Sequence, residues 1–353
     1  MYYPLLLIVK KEGIRMKEKD IVWTKAHLLS RATITLDNTL DSSLLQISNG
    51  NLNKDNWIFI RLSNSTRIRL TVSTKADLIL KQDLENNLYI FDQISQETII
   101  SNVTIERILS HAPEQLFFLL YKNCSNGCKF CPLTYHINSV EHYSWNKMKA
   151  RIKENLPYGI KSIGITTACP KDKSQNDLVT EIIEIVNKIK EILGDNIPIG
   201  VSLKTPTRES LIRLKESGVC EMRLNLETYN ANIADDLMPN KRIDEILHSI
   251  KMAVEIFGKG KVSSNMIVGI GESDEDLLNG VRKLAEIGAI STLYPYDPLG
   301  IPGEKFKRPS AERLYSLALK HKEILKEYNL DSARLATMCC SCAASHIYPE
   351  KDL

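Results

Sequence analysis

From residue 117 onward, strand-like apolar runs alternate with helical stretches six times, and this alternation constrains the fold more than any other feature of the 353 residues. The runs lie at 117–122, 161–167 (KSIGITT), 197–203 (IPIGVSL), 220–226 (CEMRLNL), 261–268 (KVSSNMIV) and 290–296 (ISTLYPY). The helical stretches lie at 145–156, 176–193, 207–217, 243–257, 274–287 and 309–327. Strands separated by helices of ten or more residues pair in parallel through right-handed crossovers. Six such units predict an α/β fold built as a partial (β/α)6 barrel, short of the closed eight-fold form, with its chemistry at the C-terminal ends of the strands.

The residues on either side have a different character. Before residue 113 come short β-favouring runs, ATITL, WIFIRL, RIRLTVS and NLYIF, broken by Asn, Asp, Ser and Gly. They predict a small β-rich module over 1–112, followed by the barrel over 113–330. The closing stretch MCCSCAASHIYPEKDL falls in a tail, 331–353.

Composition narrows the functions. A net charge of +3 with no long basic block gives no sign of a nucleic-acid surface. The opening has five consecutive apolar residues, Leu5 to Val9, too few to span a bilayer. A cytoplasmic protein without nucleic-acid or membrane partners is the expectation. Eight cysteines in such a chain are expected to be thiols serving as ligands or catalysts. None precedes residue 124; three stand at Cys124, Cys128 and Cys131, single ones at Cys169 and Cys220, and three more at Cys339, Cys340 and Cys342.

The first group, CSNGCKFCPL, follows the first barrel strand. Spacings of three and two residues allow three thiolates to point inward from one short loop, with Gly127 permitting the turn between the first two. Three thiolates hold three irons of a 4Fe-4S cluster and leave the fourth iron open to another ligand. A structural zinc site is the competing reading, with His136 or His142 as the fourth donor, although such sites usually close with two ligand pairs.

A Cys-x3-Cys-x2-Cys loop after the first strand of a partial barrel resembles the signature of the radical S-adenosylmethionine (SAM) superfamily. The resemblance implies that SAM chelates the open iron, that Phe130 packs near its adenine, and that reductive cleavage gives a 5′-deoxyadenosyl radical. Asn225, Glu227 and Thr228 lie in a segment, NLET, similar to one in lipoyl and biotin synthases, where such residues face the nucleoside or the substrate; a solvated strand-end Glu is the plainer alternative. The segment IVGIGES resembles another of the same group, with Gly269 and Gly271 leaving room for the backbone to approach the cofactor. Lys241 and Arg242 stand where biotin synthases place a cation near the cofactor carboxylate. The usual Gly-Gly-Glu after the second strand is replaced by GITTACP, which leaves Thr166 or Thr167 and backbone carbonyls for the methionine amino group.

Two departures bear on the branch. Ser263 stands where a biotin synthase has a cysteine for its second cluster, and residues 1–123 lack the cysteine motif of bacterial lipoyl synthases. The tail offers a substitute: if it folds over the barrel mouth, Cys339, Cys340 and Cys342, with Cys169 as the fourth ligand, are candidates for an auxiliary iron–sulfur cluster; a redox disulfide or a zinc site with Cys169 or His346 are the alternatives. The resemblance is greatest to one subunit of the two-protein lipoyl synthase found largely in archaea. It implies insertion of sulfur from the auxiliary cluster at C6 or C8 of an octanoyl chain on a lipoyl-carrier domain, with a second radical SAM subunit and a ferredoxin-type reductant as partners. The rival readings are a single-cluster radical enzyme acting on a small molecule (a mutase, a methylase or a biotin synthase-like enzyme) and a non-catalytic iron–sulfur electron-transfer protein.

Overall fold

Two sheets organise the chain, in a computed structural model that describes residues 20–38, 40, 57–109, 112–136, 142–298 and 306–352. The apolar opening, Leu5 to Val9, lies outside these residues. The first sheet contains β1 (Thr33–Leu36), β2 (Trp57–Arg61), β3 (Arg67–Val72), β4 (Leu78–Gln82), β5 (Leu88–Asp92) and β6 (Glu97–Glu106), closed in the order β1-β3-β2-β6-β5-β4. Period-two alternation builds its core: Ile68 and Leu70, or Leu78 and Leu80, point inward while their neighbours reach the surface. A helix, α1 (Ile21–Arg31), begins at Asp20, whose carboxylate accepts from the Val22 amide at 3.0 Å. The β-rich module is thus present, with a leading helix that the expected strand pattern lacked.

The second sheet contains β7 (Gln115–Leu119), β8 (Ser162–Thr166), β9 (Ile199–Ser202), β10 (Glu221–Arg223), β11 (Val262–Val268) and β12 (Ile290–Pro295), all parallel and in sequential order. Between and after them run α2 (Trp145–Asn155), α3 (Gln175–Leu193), α4 (Arg208–Glu216), α5 (Ala231–Leu237), α6 (Ile243–Phe257), α7 (Asp274–Ile287) and α8 (Ala311–Glu327). The partial (β/α)6 barrel is as expected, apart from the short α5. Capping boxes start two of its helices, Ser174 with Asp177 and Ser273 with Asp276. Among the described residues no helix is long and apolar enough to cross a membrane.

The inner wall of this barrel is polar. Along β10, Glu221 and Arg223 share a face with Asn225, and Asn265 and Thr292 on the next two strands join Arg223 through hydrogen bonds. Outward-facing residues such as Val201 and Met266 are fully covered. Inward-facing Thr166, Ser202, Asn225, Asn265 and Tyr294 nonetheless retain accessible surface. These partly accessible positions, interspersed with covered ones such as Arg223, Ser263 and Thr292, line the barrel interior, a shaft that follows the strands.

The tail closes the lower end of the shaft, at the strands' N-terminal ends. Glu221, the first residue of β10, accepts from the amides of Ala336 (3.0 Å) and Thr337 (3.0 Å) and from the Thr337 hydroxyl (2.6 Å). The Thr337 side chain takes the space that a Cβ at Gly200 would need, and Met338 crowds Gly164. A single turn, α9 (Met338–Cys342), then passes under β7 and β8, with Ser341 Oγ 3.4 Å from Ser162 Oγ. Beyond it the Ala344 carbonyl accepts from the Arg69 amide of β3 at 2.9 Å, and α10 (Pro349–Asp352) ends the described chain. The expectation that the tail folds over the mouth is therefore corrected: small residues at the strand feet and the Glu221 carboxylate hold it at the opposite end.

Lys25 on α1 fixes this arrangement. Its ammonium lies 2.6 Å from Asp352 and 2.6 Å from the Ala343 carbonyl, with both side chains fully buried. Removing one member strands a buried charge, which costs about 3–5 kcal/mol. Asp352→Ala is expected to lower unfolding stability by about 3 kcal/mol or more, whereas the apolar pair Lys25→Met with Asp352→Leu recovers most of the loss, as urea denaturation would measure.

Candidate active site

The loop after β7 is fastened on three sides, and each fastening follows from a specific polar residue. The Ser125 amide and hydroxyl both donate to the Cys169 carbonyl at 2.9 Å, tying the loop to the segment after β8. The Asn240 amide group donates to the carbonyls of Ser125 (3.1 Å) and Asn126 (3.3 Å) from the segment after α5. The Thr134 hydroxyl closes the loop on itself through the Cys128 carbonyl at 2.8 Å. Gly127 takes a left-handed φ of 68°, the turn that its place between the first two cysteines predicts.

The three thiols have different surroundings. Cys128 is buried in an apolar group with Leu237, Met238, Ile270 and Tyr296, against which Phe130 and Cys131 pack. Burial pushes the Cys128 thiol up to about 11 and the Cys131 thiol upward as well. Cys124 is held low by a hydrogen bond from the Cys169 thiol, which is itself raised by that bond. The Asn126 side chain also donates to the Cys169 sulfur, at 3.2 Å. Cys169 is thus a mouth residue beside Cys124.

Glu227 and Lys241 complete the mouth. Glu227 follows β10 and bridges to Met266 in β11, with a φ of 67° that a residue other than glycine rarely adopts. Its carboxylate is 3.7 Å from the Lys241 ammonium, both side chains being largely buried. Burial opposes the charge on Lys241, but Glu227 and the thiols of Cys128, Cys169 and Cys131 outweigh it and raise the ammonium above its ordinary range. Arg242 points away: it is exposed and pairs with Asp244 at 3.3 Å. Of the two adjacent cations the structure brings only Lys241 to the thiols.

Other expected residues have placements of their own. Asn225 lies on the shaft wall, its side-chain oxygen accepting from Arg223 at 3.1 Å and from the Asn265 amide at 3.3 Å. Thr166 ends β8 on the same wall. Gly269 has a φ of 112°, and the space beside it is taken by the Lys307 carbonyl, 2.7 Å from an added Cβ. The close approach it permits is to this chain's own backbone, which corrects the expectation of room for a cofactor there. Glu272 supports that loop by accepting from the amides of Gly269 (2.7 Å) and Ile270 (2.8 Å). His142 pairs with Glu181 at 2.6 Å, and the side chain of His136 lies outside the described residues.

The tail thiols lie apart from this mouth. Cys339 meets Arg223 on the shaft side, Cys340 is buried against Tyr348, and Cys342 sits in an apolar group with Phe59, Ile108 and Ala112. Cys169 is therefore not brought to the tail cysteines, because they occupy opposite ends of the strands. Arg223, Arg69, Glu221 and Asn240 escaped the sequence reading; the signal for Arg223 was the polar face formed by Glu221, Arg223 and Asn225 within an otherwise apolar run.

Residues 118–284 match the model of the radical SAM superfamily. Over these residues the chain is similar to a radical SAM domain. Two curated relatives are biotin synthases, from Hydrogenobaculum sp. (29% identical over 173 residues, 48% of this chain and 50% of the relative) and from Alkaliphilus metalliredigens (31% over 180 residues, 49% and 54%). The chain spans about half the length of the curated relatives it matches. The solved structure of methylornithine synthase shares the fold, with a TM-score of 0.50 and 21% identity over 60% of this chain and 62% of that one.

The loop fits the 4Fe-4S cluster that such a domain implies. Among the described residues no three His, Cys, Asp or Glu side chains surround a single ion point. In a four-iron cluster each thiolate holds its own iron, so the ligands surround a volume instead of a point. Cys124, Cys128 and Cys131 would hold it, with Phe130, Glu227 and Lys241 beside the remaining iron's ligand. The fit is poorer for an auxiliary cluster on Cys339, Cys340 and Cys342, whose side chains enter three different environments, and no step is drawn through one.

Lys241 and Arg242 separate position from charge. Lys241→Met is expected to weaken SAM binding tenfold or more in the reconstituted protein, and Arg242→Met to change it less than twofold, as equilibrium dialysis would measure.

Proposed function

We propose that the chain is a radical SAM enzyme of the sulfur-insertion kind, acting on a substrate held in the shaft beneath its cysteine loop. The observation that carries this reading is the alignment of the two cysteine groups: the loop thiols stand at the mouth of the shaft and Cys339 at its floor. The likeness to biotin synthases supports sulfur insertion as the reaction class. Cys124, Cys128 and Cys131 would hold the 4Fe-4S cluster, which with SAM bound would supply a radical able to take a hydrogen atom from the substrate. This chain's residues shape the surroundings. Phe130, Met238 and Tyr296 exclude water at the mouth, Lys241 offers a cation to a carboxylate, and the wall residues Asn225 and Asn265 orient polar groups in the shaft.

In its more specific form the reading is of the lipoyl synthase type, with sulfur that an auxiliary iron–sulfur cluster would give up added at C6 or C8 of an octanoyl chain on a lipoyl-carrier domain, a second radical SAM subunit as partner and a ferredoxin-type donor of electrons. The NLET and IVGIGES segments support it; the tail cysteines, spread over three different environments, do not.

One observation favours a second reading, a single-cluster radical enzyme acting on a small polar molecule. The shaft wall of Arg223, Asn225, Asn265 and Thr292 suits polar substituents better than an alkyl chain. Anaerobic reconstitution with an octanoyl-lysine peptide, reductant, SAM and a candidate partner subunit separates the two. The lipoyl form predicts about eight irons per chain, 5′-deoxyadenosine and a peptide heavier by added sulfur. About four irons and no thiolated peptide, with 5′-deoxyadenosine still formed on another substrate, support the second. A Cys128→Ala variant is expected to form no 5′-deoxyadenosine; formation at the wild-type rate contradicts both.

A further inference from the structure

Two guanidinium groups reach the lower shaft from different parts of the chain. Arg223 comes from β10 and is 5% exposed. Arg69 comes from β3 of the β-rich module, stacks 4.1 Å over the Trp57 ring and donates to the Tyr294 hydroxyl at 3.0 Å. Arg223 donates to the side-chain oxygens of Asn225 and Asn265, and both arginines lie close to the Cys339 sulfur. Their hydrogen-bond partners here are amide and phenol groups and, for Arg223, the Cys339 thiol; none of these is a carboxylate.

The nearby carboxylates are committed elsewhere. Glu227, four residues above Arg223, faces Lys241 at 3.7 Å; Asp297, near Arg69, faces Arg308 at 3.4 Å. Glu221, at the foot of the same strand, holds the tail amides and lies 3.6 Å from Lys261. Among the described residues neither Arg69 nor Arg223 has a carboxylate within ion-pair distance. A buried guanidinium without an anionic partner costs several kcal/mol, and two of them on one wall concentrate that cost. His346 adds unmet capacity: it is fully buried, its ring centroid is 6.0 Å from that of Tyr294, and neither ring nitrogen has a hydrogen-bond partner among the described residues.

We propose that Arg69 and Arg223 form an anion subsite at the floor of the shaft, which takes the carboxylate of a small-molecule substrate. Arg223 and Glu227 lie beside Ser263 and Met266 of β11, three residues of strand or about 10 Å apart, with Glu227 at the level of the loop thiols. A molecule anchored by its carboxylate at the floor presents a carbon several bonds away to the mouth. The β-rich module then supplies a substrate contact, Arg69, in addition to its packing role. This rests on the second reading above and names its substrate class; a carrier-bound octanoyl chain would enter methyl end first and bring no charge to the floor.

The test needs no turnover. Protein with its loop cluster reconstituted, without SAM, is titrated calorimetrically with octanoate and with octanamide, a neutral probe of the same length. Saturable one-to-one binding of octanoate, at least tenfold tighter than octanamide and weakened tenfold or more in Arg69→Gln and Arg223→Gln, is the expected result. Should Arg223→Gln fail to fold by circular dichroism, Arg69→Gln alone decides. Equal binding of the two probes, no binding of octanoate, or unchanged affinity in folded Arg69→Gln overturns the subsite. Since the titration uses neither SAM nor reductant, its failure leaves the radical chemistry untouched, and loss of 5′-deoxyadenosine formation says nothing against the subsite.

Discussion

A six-stranded parallel sheet curled into a partial barrel leaves an interior open at both ends, and each end has to be finished by a different piece of chain. At the C-terminal ends of the strands, loop geometry supplies the cysteine group, Glu227 and Lys241. At the N-terminal ends the tail is drawn in by the Glu221 carboxylate, which accepts from the Ala336 amide and satisfies the amide and hydroxyl of Thr337, which would otherwise be buried without partners. Everything proposed for the shaft depends on that floor. With the floor open, Arg223 and Cys339 would face bulk water, and a substrate would have no lower boundary.

The buried Lys25–Asp352 pair extends the same constraint to the β-rich module. Such a pair adds little net stability against an apolar substitute, yet breaking it is costly, so it selects one docking geometry for helix α1, the tail and the barrel. That geometry also brings Arg69 of the module to the shaft.

Much of the barrel was legible because apolar runs and helical stretches alternate with little interruption. The helices at Ile243–Phe257 and Asp274–Ile287 have the expected bounds, and the six strands fall within the expected runs or begin up to two residues before them. Helix α1 was less legible, since IVWTKAHLLSR mixes β-branched and aromatic residues with helix formers. The cysteine loop was legible because its spacing is local. The tail was not, because its position depends on contacts more than a hundred residues away in sequence: a glutamate at a strand foot and glycines at 164 and 200 that leave room for it. Arg242 and Lys241 look equivalent in sequence; only the tertiary fold distinguishes the cation beside Glu227 from the one in solvent.

The central claim is that the loop's three thiolates leave an iron open for SAM, with Glu227 and Lys241 beside it. Electron paramagnetic resonance of the anaerobically reduced protein tests this most directly. The account predicts a reduced 4Fe-4S signal whose g values shift when SAM is added. A signal that SAM leaves unchanged would contradict it.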